Sequence, residues 1–446
     1  MNKEELKSAA LQYHSTPVPG KIAVQTTKPC LTADELSLAY TPGVAAPCLE
    51  IKENVENVWK YTARSNTVAV VSDGTAVLGL GNIGPEAGMP VMEGKAVLFK
   101  RFAGIDAMAL CIGKVFNEKG RTDAAKVIET VERLEPSFGG INLEDIGAPA
   151  CFEVEQTLKK RMNIPVFHDD QHGTAIISLA AILNALKLVK KDISKCRFVV
   201  NGAGAAGISC SELYITAGAD RKNFIMLDSK GVISTKRTDL TAEKARFAVD
   251  TNKTTLAEAL VGADVFLGLS VGGCVTQEMV KSMAPGAIIF AMANPIPEID
   301  PALARSAGAA VVGTGRSDFP NQINNVLGFP GIFRGALDVR ATDINEEMQL
   351  AASRAIAEVA CEPVPEELKE YLKSAYPADY AAGVFEPEMP LSTDYVIPKP
   401  FDARVVPRVA RYVAETAIKT GVAQIQITDL DAYEKEVAAR VVAANQ

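Results

Sequence analysis

Short apolar runs alternate with longer stretches of mixed polarity through the first half of the chain. Thr67–Val71, Asp106–Ile112 and Gly139–Leu143 are the runs, and helix-length segments over Met92–Phe102 and Thr122–Leu134 separate them. A helix over Cys151–Met162 and a strand over Ile164–Phe167 continue the series. This alternation predicts βαβ units and a mostly parallel sheet. A long apolar helix over Thr174–Val189 then opens a second series, with strands at Arg197-Phe-Val-Val-Asn, Phe224–Leu227, Val265–Leu267, Ile288–Ala291 and Ala310–Val312.

The flanks follow other patterns. A helix to about Tyr13 precedes a proline-rich segment (Pro17, Pro19, Pro29), and Thr32 with Glu35 forms a capping box for a helix that stops at Tyr40-Thr-Pro-Gly43. After Asn325 the chain turns helical, with a helix over Ile344–Ala360, a proline-rich connecting strap (Pro377, Pro387, Pro390, Pro398, Pro400) and a final helix near Arg404–Thr420. No solenoid-like repeat is present.

Composition narrows the class. At 446 residues the chain is long enough for two or three domains, and 48% apolar with 22% charged residues excludes a disordered or low-complexity polymer. The 46 basic and 54 acidic residues leave a net charge of −8 with no basic run, so nucleic acid is not an expected partner. Apolar stretches such as Ala287–Ala293 fall short of the ~20 residues of a membrane helix, and the opening MNKEELKSAA has no apolar signal core, so a cytoplasmic protein away from membranes is expected. Eight cysteines without a C-x-x-C pair read as buried thiols of a reducing compartment. With three histidines, any metal must be held mainly by carboxylates.

Two segments satisfy G-x-G-x-x-G: Gly79–Gly84 and Gly202–Gly207. The second (Gly202, Ala203, Gly204, Ala205, Ala206, Gly207) follows an apolar strand and opens a helix, the context in which backbone N–H groups meet a pyrophosphate. Asp228, at the end of the next strand, is placed to accept hydrogen bonds from a ribose. The first is followed at once by Pro85, and its downstream acid, Asp106, precedes a strand, so it reads as a tight turn.

Glu144-Asp145 and Asp169-Asp170 each follow an apolar run, at the carboxyl edge of the predicted sheet where α/β proteins bind ligands. Such oxygen ligands suit Mg²⁺ or Mn²⁺; the other reading is helix capping, which fits Asp170 just before the predicted helix. His168 and His172 read as structural, and by spacing alone Lys95 reads as a solvated surface lysine.

Taken in order, Leu38-Ala-Tyr40-Thr-Pro-Gly-Val, Gly79-Leu-Gly-Asn-Ile-Gly with Gly88-Met-Pro-Val-Met-Glu-Gly-Lys95, Ile141-Asn-Leu-Glu144-Asp145, Phe167-His-Asp-Asp170-Gln-His-Gly, Gly202-Ala-Gly-Ala-Ala-Gly, Ala293-Asn294-Pro and Asn324-Asn325-Val-Leu-Gly resemble malic enzymes of the bacterial, short-chain type. The resemblance implies an α/β fold with an N-terminal substrate and metal domain (1–168), a Rossmann-type dinucleotide domain (169–325) and a helical segment (326–446) returning to the first. It implies NAD(P)-dependent oxidative decarboxylation of L-malate to pyruvate and CO₂. Glu144, Asp145 and Asp170 would hold Mg²⁺ or Mn²⁺, Lys95 would be the general base and Tyr40 the general acid, and Asn294 and Asn325 would meet nicotinamide and substrate. It also implies a homodimer or dimer of dimers in which Tyr40 can complete a neighbour's site.

The roles make chemical sense. A metal chelated by malate acidifies its hydroxyl and stabilises the enolate after CO₂ departs, while a tyrosine titrating near ~10 keeps a proton to deliver. One departure stands out: the family's D-G-x-R arginine is replaced by alanine in Asp73-Gly-Thr-Ala76, so another residue must hold the C4 carboxylate. Two rival readings remain at this stage, a metal-independent dehydrogenase of another small acid and a non-catalytic dinucleotide-binding regulator. Asp228 favours NAD, whereas Ser229 and Lys230 beside it suit the 2′-phosphate of NADP.

Overall fold

The computed structural model describes residues 3–444 except 78, 387 and 389, so Pro387 of the proline-rich strap lies outside the described residues. Two parallel sheets dominate. The first has the order β2-β1-β3-β4, from β1 (Thr67–Ser72), β2 (Asp106–Cys111), β3 (Gly140–Leu143) and β4 (Val166–His168). The second runs β10-β9-β8-β5-β6-β7, from β5 (Phe198–Asn201), β6 (Phe224–Asp228), β7 (Gly231–Val232), β8 (Val265–Gly268), β9 (Ile288–Ala291) and β10 (Val311–Thr314), with only the β6–β7 pair antiparallel. β1, β3, β5, β8, β9 and β10 are buried along their whole length. Continuous apolar runs are what a parallel sheet covered on both faces requires.

The helix Asp169–Val189 joins the two sheets and packs into one contiguous core with Val68 and Phe99 of the first unit, Phe198 and Val200 of the second, and the C-terminal helices Phe329–Asp338, Glu346–Val359 and Val405–Lys419. By length and a mean hydropathy of 1.5 this helix could cross a membrane, unlike any stretch singled out from the sequence, yet 67% of its apolar window is buried inside the fold. Its apolarity serves packing on several sides.

Several boundaries differ from expectation. The helix drawn from Met92 begins at Pro85, because proline is preorganised for the first helical position. The helix expected from Thr174 begins at Asp169, five residues earlier, so Asp169 and Asp170 form its first turn, His168 is its N-cap residue, and no side chain caps it. The capping reading of Asp170 therefore fails. An unexpected helix, Glu366–Ala375, precedes the proline-rich strap, a short one, Pro377–Ala381, opens it, and a further helix, Leu430–Ala443, follows the one expected to be last.

Candidate active site

Both sheets aim their carboxyl ends at one cleft. A cavity of about 480 Å³ is lined from the first unit by Ala76, Gly79, Ile146, His168 and Asp170, and from the second by Ala205, Ala206, Ser270, Asn294 and Asn325, among others. A second cavity of about 400 Å³, lined by Gly202, Ala203, Gly204, Asp228, Ser229 and Lys244, shares Ala148 and Ser270 with the first and extends it over the glycine loop. A larger hollow of about 920 Å³, lined by Arg121, Phe152 and Lys160, contains none of Glu144, Asp145, Asp169 and Asp170.

At the first sheet's edge, Glu144, Asp145 and Asp170 each offer an oxygen within 4.8 Å of the others. The strand has ended by Glu144, and Asp145 adopts a left-handed φ of 55°, so the two neighbours are released from opposite faces. Asp170, just past the neighbouring strand β4, accepts the backbone N–H of Asp145 at 2.7 Å. Glu144 accepts from the Asn142 amide at 2.9 Å. Burial pushes Glu144 and Asp170 above the ordinary carboxylate range, against the pull of Lys95. Three acids facing one point leave negative charge in excess even beside the single ammonium of Lys95, an excess that a divalent cation preferring oxygen ligands would balance; these residues fit Mg²⁺ or Mn²⁺.

Lys95 is buried, contrary to its reading as a surface lysine. Its helix, Pro85–Ala103, packs along β1 and β2, and the ammonium meets Asp169 at 2.5 Å and Glu144 at 3.0 Å with the Phe329 ring 4.5 Å from it. Burial works against this charge, but Asp169 and Glu144 override it and hold Lys95 well above its ordinary pKa. Asp169 also accepts the Asn325 amide, so one carboxylate ties base to cleft wall.

At the second sheet's edge, Gly202 has φ 131° and Gly204 precedes the helix Ala205–Thr216. A Cβ on Gly207 would lie 1.9 Å from the carbonyl oxygen of Gly202, which explains why the third glycine is needed for the close strand-to-helix turn. The loop sits where β5 lies between β6 and β8, the switch point at which such sheets bind nucleotides. Asp228 ends β6 as expected, with its carboxylate bound to Arg237 and Lys244. Burial would raise it, but those hydrogen bonds hold it well below the carboxylate range.

Two family models match: malic enzyme, N-terminal domain, over residues 19–159, and malic enzyme, NAD binding domain, over 171–373. A curated NADP-dependent malic enzyme from Halomonas elongata is 52% identical over 419 residues, covering 94% of this chain and 95% of that one. The chain belongs to the malic enzyme family. The NADP-dependent malic enzyme of Salmonella typhimurium is 56% identical over 433 residues, 96% of this chain and 54% of that protein, so the chain spans about half the length of several curated relatives it matches. The crystal structure of malic enzyme from Pyrococcus horikoshii Ot3 superposes with a TM-score of 0.87 at 41% identity, covering 99% of this chain and 96% of that one.

Within this malic enzyme fold, Lys95, Glu144, Asp145, Asp170, Asn294, Asn325 and the glycine loop come together, and Tyr40 does not. Tyr40 ends the helix Ala33–Ala39, is 69% exposed and lines neither cleft cavity. The reason is that the helices before β1 bury none of their described residues, so nothing carries Tyr40 inward within one chain. The Gly79–Gly84 segment is a turn, closed by the Gly81 N–H on Val77 at 2.8 Å, and Gly79 lines the cleft wall facing Asn294.

Several supporting residues went unread in the sequence. Asp73 is fully buried and accepts both Thr75 Oγ1 at 2.6 Å and Thr122 Oγ1 at 2.5 Å, and Thr75 Oγ1 in turn accepts the Gly147 N–H at 2.8 Å. This network braces the loop after Asp145. Glu298, also fully buried, accepts the N–H groups of Ser270 and Ala293 at 3.0 Å each and so joins two cleft-lining loops. Glu155 holds His172 at 2.8 Å and the His168 N–H at 3.0 Å. An acid close behind an apolar run, the position that also marked Glu144 and Asp145, was the available signal for Asp73; Glu298 lies in a loop with no distinguishing pattern.

Proposed function

We propose that this chain oxidatively decarboxylates L-malate to pyruvate and CO₂ while reducing NAD or NADP, assisted by Mg²⁺ or Mn²⁺. The carrying observation is the placement of Lys95 3.0 Å from Glu144, in a carboxylate cluster facing the glycine loop of the other sheet across one cleft. A metal bound by Glu144, Asp145 and Asp170 would supply Lewis-acid polarisation of the substrate's hydroxyl and carboxylate oxygens. Lys95 would serve as the neutral amine, a form that the charge of a bound divalent cation would favour over the ammonium; it would accept the hydroxyl proton as hydride leaves C2 for nicotinamide, and Asp169 would hold it in place. Asn325 and Asn294 would orient the substrate and the nicotinamide, and Ala205 and Ala206 would lie along the dinucleotide. Nicotinamide reduction followed at 340 nm, with and without EDTA, tests the reading. Turnover that survives complete chelation favours a metal-independent dehydrogenase and sinks it.

The same reading has two copies of the chain completing each other's sites. Val24, Leu31 and Leu38, in the same N-terminal segment as Tyr40, are 87, 91 and 76% exposed, apolar side chains that a neighbour would cover. Tyr40 would then donate a proton to C3 in the partner's cleft. A Tyr40→Phe chain and a Lys95→Ala chain, each inactive alone, should recover activity on mixing. No recovery, or full activity from a monomer, rejects the exchange. All eight cysteines are free thiols, which supports a reducing, cytoplasmic setting, although only Cys151, Cys196 and Cys210 are buried as expected and Cys30 and Cys48 are exposed.

A further inference from the structure

We infer that the first unit carries a second binding site, for a small oxyanion of two or more negative charges, at the edge of its sheet opposite the cleft, with Arg340, Lys60 and Ser65 as the ligand's contacts. A cavity of about 660 Å³ opens there beside Ser65 and Asn66, which precede β1, and Gly104, which precedes β2. Glu144 follows β3 at the other end, so the length of a strand, roughly 20 Å, separates the two places. The cavity shares no lining residue with either cleft cavity.

Its walls carry Lys60, Arg334, Arg340 and Arg440 against Glu56 and Asp338. Four cations and two acids leave two positive charges in excess; Glu436, outside the wall, stands 3.7 Å from Arg440 Nε. Two of the cations are spent. Arg334 gives Nε and Nη2 to Asp338 at 3.1 and 2.7 Å and Nη1 to Asn66 at 2.6 Å. Arg440 grips the same Asp338 carboxylate at 2.9 and 2.7 Å. Both hold the fold together and lend the cavity only their field.

Arg340 is different. Its Nη1 meets Glu56 at 2.8 Å, but among the described residues Nη2 finds no acceptor, and neither does Nε, which is shielded from water. Nε and Nη2 form one edge of the fork, the geometry with which a guanidinium takes two oxygens of a carboxylate or phosphate. A buried donor without a partner is costly, and a ligand oxygen would supply the partner. Arg340 also holds a left-handed φ of 47°, which a glycine adopts without strain, so the backbone does not account for an arginine at this place. Lys60 Nζ and Ser65 Oγ, in the same wall, hydrogen-bond to no described residue; the ammonium lies 4.8 Å from the Tyr61 ring. The Trp59 ring completes the wall, with Arg64 at 4.4 Å and Arg340 at 5.5 Å from its centre.

Trp59 is the chain's one tryptophan, so its fluorescence reports this cavity apart from the cleft. Inorganic phosphate and succinate are titrated into the intact protein at constant ionic strength. At least one should change the emission saturably: phosphate alone assigns a phosphoryl group, succinate alone a dicarboxylate, and both together the oxyanion chemistry they share. Arg340→Gly, which suits the left-handed backbone and should melt as cooperatively as wild type, should weaken binding about tenfold or more, the scale of one charge-assisted contact. Lys60→Gln, an exposed change that leaves the fold alone, should weaken it about threefold. Glu144→Gln, in the cleft, should leave the titration as it is. An equal change with sodium chloride, no saturable change with either anion, or wild-type affinity in Arg340→Gly overturns the inference. If Arg340→Gly does not fold, Lys60→Gln decides, and unchanged affinity there has the same consequence.

Discussion

Lys95 Nζ lies 2.5 Å from Asp169 Oδ2, in a part of the fold where both side chains are almost wholly excluded from solvent. The two residues are 74 positions apart and belong to helices that enter the cleft from different strands of the first sheet. Asp169 is thus distinct in role from its neighbour Asp170, which turns toward Asp145. One member of the acidic pair holds the proposed base and the other joins the carboxylate cluster.

Replacing Lys95 with alanine should lower kcat by roughly 10²–10⁴, the usual worth of a positioned general base, with nucleotide affinity unchanged. Asp169→Asn should lower kcat less but destabilise the fold by about 3 kcal/mol, because it removes one partner of a buried ion pair. Steady-state kinetics and urea unfolding separate these effects. An Asp169→Asn protein with wild-type kcat would show that the 2.5 Å contact does not orient the base.

Thr75→Val keeps the side chain's shape and deletes the hydroxyl that ties Asp73 to Gly147. Mn²⁺ affinity, measured by electron paramagnetic resonance, should fall about 10- to 100-fold, as when other outer-shell partners of metal ligands are lost. The far-ultraviolet circular dichroism spectrum should not change. Unaltered Mn²⁺ affinity would show that the loop is held by other means.

The glycines of the fingerprint differ in what they tolerate. Gly207→Ala places a Cβ 1.9 Å from Gly202 O and should unfold the turn, with loss of nucleotide binding and of thermal stability. A Cβ on Gly204 meets nothing within 4 Å, and φ there is −86°, so Gly204→Ala should melt like wild type and weaken only nucleotide binding. Equal melting temperatures for the two variants would contradict this account.

Burial pushes the thiols of Cys151 and Cys210 up to about 12. An unfolded thiol titrates near ~8.5, so the raised values contribute stability that is complete below about 8.5 and is lost as pH climbs toward 12. Urea midpoints should therefore decline between pH 8.5 and 10, and Cys151→Ala with Cys210→Ala should flatten that decline. At pH 8, neither thiol should react with a disulfide reagent until the chain is unfolded.

Much of this arrangement was legible along the chain, and the physics explains why. Parallel strands buried on both faces leave unbroken apolar runs such as Val68–Val71 and Ile288–Ala291, and a strand-turn-helix phosphate loop needs glycines at set intervals, so the two α/β units and Gly202–Gly207 are local features of the sequence. The carboxylate cluster was legible as residue types at strand ends, although capping and metal binding could not be told apart there.

Tertiary structure decided the rest, because partners distant in sequence are chosen by packing. Lys95 became a buried cation only when its helix was laid against Asp169, Glu144 and Phe329. Asp228, an open ribose acceptor by its position in the motif, was closed by Arg237 and Lys244 from the following loop. Tyr40, marked by its motif, stayed at the surface because no apolar face of its segment is buried against its own chain. Periodicity and spacing specify which way a backbone runs; the charge and solvation of a side chain depend on what the folded chain brings within a few ångströms of it.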